Sequence, residues 1–294
     1  MVITLTKEQV KFYNDNGYLV INNFFEPTHI AAALKAIDEI LDCADQSSVA
    51  ESEPADPSVV RRIWSPSKRH PVFVELAENE NLLNCIECLI GPNILFHYSK
   101  LNMKYSQVGS VVEWHQDLSY YPHTNTDLLS CLIYLDDATT ENACLEVIPG
   151  AHRCGILDHY INGYFRGKIN NSIPDVDFSK SVPLEAPAGS VIFLHCLTPH
   201  YSRKNQSDKP RRTYLPAYRA ADAFPIYFGS HASHNEPGIK LLRGEPAKFA
   251  RIESYPCPLP FAETEFNSLY EVQEGSHITN KGNKSETGYF AMQK

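Results

Sequence analysis

The N-terminal stretch of the chain shows helical hydrophobic spacing interrupted by one extended run. Thr6, with Gln9 three residues later, has the form of a capping box, and Leu5 and Val10 are placed for a hydrophobic staple. Gly17 would end that helix in the left-handed conformation. Tyr18 to Phe25 is rich in aromatic and β-branched side chains and predicts a strand. Pro27-Thr28 opens a second helix in which Ile30, Leu34, Ile37 and Leu41 recur at helical spacing. Ser47 to Pro66 is acidic, polar and proline-containing, which predicts a long surface loop. Shorter helices follow over Pro71 to Ile90 and stop at Gly91-Pro92.

From Ile94 the pattern changes to short β-like runs: Ile94 to Lys104, Leu128 to Leu135, Cys144 to Ile148, Val191 to His195 and Thr213 to Arg219. Turn signals at Pro149-Gly150, Pro187-Ala188-Gly189 and Ser207-Asp208-Lys209-Pro210 separate them. Many short strands with regular turns predict a mostly β chain with flanking helices (α+β), built on a double-stranded β-helix of the jelly-roll or cupin-like type. No repeat or linker divides it. A single domain is expected, with residues 1–93 as a helical support region, 94–222 as the β-helix core and 223–294 as a C-terminal extension. In that extension, Pro256-Cys257-Pro258-Leu259-Pro260 forbids regular structure and Glu274 to Gly288 is polar. The expectation is a partly mobile segment that either lies over the active site as a lid or stays in solvent.

Composition narrows the function classes. With 43% hydrophobic residues in 294, the chain can bury a sizeable core, and a net charge of −9 argues against general affinity for nucleic acid or anionic membrane. No stretch approaches the ~18 consecutive apolar residues of a membrane span. Met1 to Glu8 lacks the layout of a signal peptide, and Ala291 to Lys294 is not a peroxisomal address. The eight cysteines have no framework spacing; Cys85 and Cys88 form a lone C-x-x-C in a helical segment and read as ordinary helix thiols. A reducing, cytoplasmic location is expected. Nothing in the sequence fixes an oligomeric state.

The chemistry concentrates in Glu113-Trp114-His115-Gln116-Asp117. In a strand, His115 and Asp117 would project from one face, with Gln116 on the other. Two such groups and a distant histidine make the 2-His-1-carboxylate facial triad of non-haem Fe(II) oxygenases. His200, which follows the apolar run Gly189 to Leu197, is the best third ligand. Its competitor His195 lies inside that run and reads as a hydrogen-bonded core histidine. His123, His152 and His159 read as loop residues or satisfied polar groups. Residues Arg203 to Pro210 would form a hairpin loop that returns Arg211 beside His200, where a guanidinium suits a carboxylate held bidentately. Ser202 shares a strand face with His200 and could add a hydrogen bond, whereas Arg212 would point the other way into solvent. Trp114, Tyr120, Tyr121 and Phe193 either shape a substrate pocket or pack in the core.

The runs WHQDLSYYPHTNTDLLSCLIYLDDATTENACLEVIPGAHR and GSVIFLHCLTPHYSRKNQSDKPRR, with the N-terminal GYLVINNFF, resemble the phytanoyl-CoA dioxygenase family of Fe(II)/2-oxoglutarate oxygenases. The resemblance spans Leu5 to Arg219 and includes the turn Pro149-Gly150-Ala151-His152. It implies iron ligation by His115, Asp117 and His200, and anchoring of the far carboxylate of 2-oxoglutarate by Arg211 and Ser202. Lys100 would match a further cosubstrate-side position. Lys100, Asn102 and Lys104 alternate with Leu101 and Met103, which leaves open whether their face lines the pocket or meets water. The implied activity is oxidation by O2 of a small-molecule C–H bond, most simply hydroxylation in a biosynthetic tailoring pathway, with release of succinate and CO2. Desaturation, cyclisation and epimerisation share that chemistry. A fatty acyl-CoA hydroxylase and a non-catalytic metal- or small-molecule-binding barrel are the alternatives.

Overall fold

A computed structural model describes residues 2–42, 50–53, 56–170, 176–227, 239–262 and 272–273. Helix α1 (Lys7–Asn16) begins with the reciprocal Thr6–Gln9 capping box and ends at Gly17, whose φ of 81° puts it in the left-handed region. Strand β1 (Tyr18–Ile21) and helix α2 (Pro27–Asp42) follow, the helix burying Ile30, Ala33, Ala36 and Ile37. Next come β2 (Ala50–Glu53), β3 (Asp56–Trp64), α3 (Pro71–Ala77), α4 (Glu80–Ile90), β4 (Ile94–Lys104) and β5 (Val112–His115). The chain continues through β6 (Leu128–Tyr134), β7 (Leu145–Val147), β8 (Tyr160–Ile161), β9 (Tyr164–Phe165) and β10 (Val182–Leu184). It closes with β11 (Val191–His195), β12 (His200–Ser202), β13 (Arg211–Ala220) and β14 (Lys240–Arg243). Among the described residues no helix is long and apolar enough to cross a membrane.

The strands build the expected double-stranded β-helix from two antiparallel sheets. The larger runs β1-β11-β6-β13-β4-β3-β2, with β14 also on β4, and the smaller runs β10-β7-β12-β5. Strand β13 shows how the two-residue side-chain period divides the molecule. Tyr214 and Tyr218 face outward onto α3, where their hydroxyls donate to the carbonyls of Phe73 at 2.8 Å and Ala77 at 2.7 Å. Arg211 and Leu215, on the other face, look between the sheets into a cavity. Leu132, Leu145, Ile192, Leu194 and Leu215 pack in the cluster on that inner side.

Three expectations need correction. The segment 47–66 is not a loop throughout, because β2 and β3 pair antiparallel and β3 extends the large sheet onto β4. Its acidic residues suggested solvent, but Glu51 and Glu53 are buried against arginines and a serine. The segment 203–210 is not a hairpin loop either. It carries the chain from β12 in the small sheet to β13 in the large one, and Arg211 still reaches the same cavity. Arg212 is not solvated: its guanidinium pairs with Asp136 through Nε at 2.9 Å and a terminal nitrogen at 2.7 Å. The polar segment Glu274 to Gly288 lies outside the described residues.

Candidate metal centre

His115 is the last residue of β5 and His200 the first of β12, and the antiparallel register sets them directly opposite one another. Their ring centroids are 4.0 Å apart. Strand β5 ends at His115, so Asp117 opens a 3-10 turn (Asp117–Ser119) instead of continuing the strand. The turn still aims its carboxylate at the histidines: Asp117 Oδ1 lies 4.0 Å from His115 Nε2 and 3.8 Å from His200 Nε2. The three ligand atoms lie within 4.8 Å of one another, and all three residues are buried.

The surroundings fix the side chains in metal-ready states. His115 Nδ1 donates to the Glu113 carbonyl at 2.7 Å and His200 Nδ1 to that of Thr198 at 2.9 Å, leaving each Nε2 with its lone pair toward the cluster. Burial, reinforced by the other imidazole, holds His115 well below the usual histidine range, and burial also lowers His200. Burial opposes charge on Asp117, yet His200, Lys100 and His115, with a hydrogen bond from Ser130, more than offset it and keep the carboxyl below its usual value. Ser130 Oγ donates to Asp117 Oδ2 at 2.9 Å, which leaves Oδ1 for the cluster. Two neutral imidazoles and one carboxylate on one side of a cavity are a donor set that suits an Fe(II) ion with open positions on the opposite side.

The cavity beside the cluster has a volume of about 50 Å³. Arg211 and Ser202 line it together with the triad. Arg211 is buried and held by Nε on the Ala143 carbonyl at 3.1 Å and by a terminal nitrogen on Thr213 Oγ1 at 3.0 Å. Lys100, Asn102 and Lys104 also line the cavity, so the polar face of β4 looks inward. Burial, partly countered by Asp117, brings the Lys100 ammonium down to about 8. His195 stands apart from this lining. Its Nδ1 accepts the Leu197 N–H at 3.1 Å, and its ring packs against Tyr13 and His152, as read for a core histidine. His159 is satisfied too, accepting the Gln116 N–H at 3.1 Å and donating to the Leu157 carbonyl at 2.7 Å. Gln116 points away from the cluster, its amide donating to the carbonyls of Gly155 and Leu197.

Tyr120 packs edge-on against His115, with ring centroids 5.8 Å apart, while Trp114 stacks on Tyr201 at 5.1 Å. Phe193 belongs to the core. Sequence reasoning missed Arg61 and Arg62, which reach the cavity from β3, and also Ser130 and Gln273. A serine inside the apolar run Leu128 to Tyr134 and an arginine doublet following alternating glutamates were the available signals.

Comparison with known proteins agrees with the geometry. The profile of the phytanoyl-CoA dioxygenase (PhyH) family matches residues 13–213. The chain is 30% identical over 279 residues to a probable alpha-ketoglutarate-dependent hypophosphite dioxygenase of Stutzerimonas stutzeri, covering 90% of this chain and 96% of that one. It is 27% identical over 240 residues to the peroxisomal phytanoyl-CoA dioxygenase of Homo sapiens, covering 76% and 70% respectively. Among solved structures it resembles EctD from S. alaskensis with 2-oxoglutarate and 5-hydroxyectoine, with a TM-score of 0.65, 25% identity, and coverage of 87% of this chain and 90% of that one. The chain therefore belongs to the phytanoyl-CoA dioxygenase family and is an Fe(II)- and 2-oxoglutarate-dependent dioxygenase that uses O2.

Proposed function

We propose that this dioxygenase hydroxylates an unactivated C–H bond of a small organic molecule, in the manner of a biosynthetic tailoring enzyme. The reaction would convert R–H, O2 and 2-oxoglutarate to R–OH, succinate and CO2. The observation that carries this reading is one cavity lined by the His115-Asp117-His200 cluster together with Arg211 and Ser202. Bound iron and the oxoacid would supply the O2 activation. His115, Asp117 and His200 would hold the metal, with Glu113, Thr198 and Ser130 fixing their orientation. Arg211, paired with Ser202, would clasp the far carboxylate of the oxoacid. Leu132, Leu145, Leu194 and Leu215 line the same cavity and would keep water from its methylene chain. As a ligand, Asp117 would occupy the position that related halogenases leave open for chloride, which supports hydroxylation.

A second reading is favoured by the Stutzerimonas stutzeri relative, whose described substrate is hypophosphite. The same hydroxyl transfer would then act on a P–H bond. The test is anaerobic reconstitution with Fe(II) and 2-oxoglutarate, followed by admission of air and measurement of succinate. Succinate is expected from the native chain and not from His115→Ala. Arg211→Ala should raise KM for 2-oxoglutarate by about 10- to 100-fold, the worth of a lost charged hydrogen-bond pair. An unchanged KM for the oxoacid in Arg211→Ala would instead refute the role given to Arg211.

A further inference from the structure

Helix α1 is not part of either sheet, yet its C-terminal end is bonded to the turn that leads into His200. The last turn of a helix leaves its carbonyls without intrahelical partners. In α1 these are capped from the β-helix. The Asn14 carbonyl accepts from His152 Nε2 at 3.0 Å, and that of Asn16 accepts the Gly150 N–H at 2.9 Å. The Gly17 carbonyl takes two donors, the His195 N–H at 3.0 Å and the Thr198 hydroxyl at 2.6 Å. The approach is close enough to require glycine. With φ at 81°, an added Cβ would overlap Thr198 Oγ1 and come within 2.6 Å of His152 Nδ1.

Thr198 carries this anchorage to the metal cluster. It sits in the turn 196–199 between β11 and β12, where the sheet ladder does not set the direction of its carbonyl. Thr198 is fully buried, and its backbone and hydroxyl are all engaged. Its N–H donates to the His195 carbonyl at 2.9 Å, its hydroxyl donates to Gly17, and its carbonyl accepts from His200 Nδ1 at 2.9 Å. The next two residues are tied to β7. The Pro199 carbonyl accepts the Ile148 N–H at 3.2 Å, and His200 pairs with Val147. Those bonds fix where His200 sits. The rotation of its ring, and the nitrogen that holds the proton, depend on the Thr198 carbonyl. Only a proton on Nδ1 makes that bond, and it leaves Nε2 as the ligand atom. The carbonyl turns with its peptide plane, and the hydroxyl bond to Gly17 is the restraint on that plane which a side-chain change can remove.

We propose that Thr198 is a positioning residue for His200, with helix α1 as its anchor: the hydroxyl bond to Gly17 aims the carbonyl that sets the His200 ring. The N-terminal helix thereby contributes to metal affinity from outside the cluster. This rests on the reading of His200 as an iron ligand. A bond that merely stapled helix to sheet would change stability and leave the ring alone.

The test compares Thr198→Val, which keeps the shape and loses the hydroxyl, with Thr198→Ser, which keeps the hydroxyl. Ile37→Val trims a buried residue of α2 and controls for lost stability. Valine leaves Gly17 with the His195 N–H, so no buried carbonyl is stranded. Full-length chains are read by urea midpoint, by Fe(II) affinity in anaerobic equilibrium dialysis, and by imidazole nitrogen shifts of the metal-free chain, which report the His200 tautomer. Thr198→Val should lower Fe(II) affinity about tenfold and move His200 from the Nδ1–H toward the Nε2–H form. Thr198→Ser should stay within about twofold of the native affinity. Ile37→Val should match the native affinity although its urea midpoint falls. The proposal is overturned if Thr198→Val keeps the native affinity or the native tautomer, if serine loses as much as valine, or if Ile37→Val weakens iron as much. A native chain that does not bind Fe(II), or a His200→Ala chain that binds it as tightly as the native one, would refute the ligand role of His200, and the proposal with it.

Discussion

Gln273 ties the C-terminal extension to β5, the strand that ends in His115. Its side chain is buried: Oε1 accepts the Glu113 N–H at 3.2 Å, and Nε2 donates to the Gly167 carbonyl at 2.8 Å and to Tyr120 Oη at 3.3 Å. Glu113 in turn presents the carbonyl that orients His115, and Tyr120 packs on the His115 ring. Gln273→Ala removes all three hydrogen bonds and leaves the Glu113 N–H without its partner. At about 1 kcal/mol net for each bond, the docked extension should lose roughly 2–3 kcal/mol. That corresponds to about a 100-fold shift toward undocking. Amide exchange at Glu113, followed by mass spectrometry of the full-length chain, should quicken by a similar factor. Fe(II) affinity should fall as β5 frays. Gln273→Glu keeps the acceptor but sets a carboxylate against the Gly167 carbonyl, so it should be no better than alanine. Unchanged exchange at Glu113 and unchanged iron affinity in Gln273→Ala would refute the anchoring role.

Other perturbations probe neighbouring links. Ser130→Ala deletes the side-chain hydrogen bond to Asp117 Oδ2, and Fe(II) affinity by equilibrium dialysis should drop about 10- to 100-fold with the fold intact. Gly167 has φ +60°, and an added Cβ would meet the Tyr120 hydroxyl and come within 2.9 Å of Val272 Cγ1. Gly167→Ala should therefore cost about 1–2 kcal/mol from backbone strain alone, read as a lowered urea midpoint. His195 is pushed down to about 3, first by burial and then by His152. Its depressed value means that the unfolded chain takes up a proton the native one refuses, so stability is full above the ordinary value of 6.5 and declines as pH falls from there toward 3. Urea titrations across that window should show the decline, less steeply in His195→Gln, while His195→Gln retains iron and His200→Ala loses it.

Much of this was legible in the chain because the signals were local. The Thr6–Gln9 box, the Gly17 stop and the unbroken run of β4 are set by neighbours within a few residues. The metal cluster was readable because a His-x-Asp and a histidine after an apolar strand retain their meaning without tertiary detail. What escaped depends on partners far along the sequence. Glu51 and Glu53 look like solvent-seeking residues until Arg61, Arg62 and Ser110 are brought beside them. Arg212 looks exposed until Asp136 arrives from the bend after β6. Gln273 is more than a hundred residues from each group it holds.

With His115 and His200 as the proposed metal ligands, their face-to-face placement would give the bound ion a second role during maturation. Because side chains alternate between the two faces of a strand, sliding β12 by a single residue against β5 would turn one imidazole away from the other. Only the correctly aligned pair can capture the ion with full strength. Metal uptake would thus act as a proofreader of strand alignment in the smaller sheet, and chains assembled without it would have one fewer force selecting the right pairing.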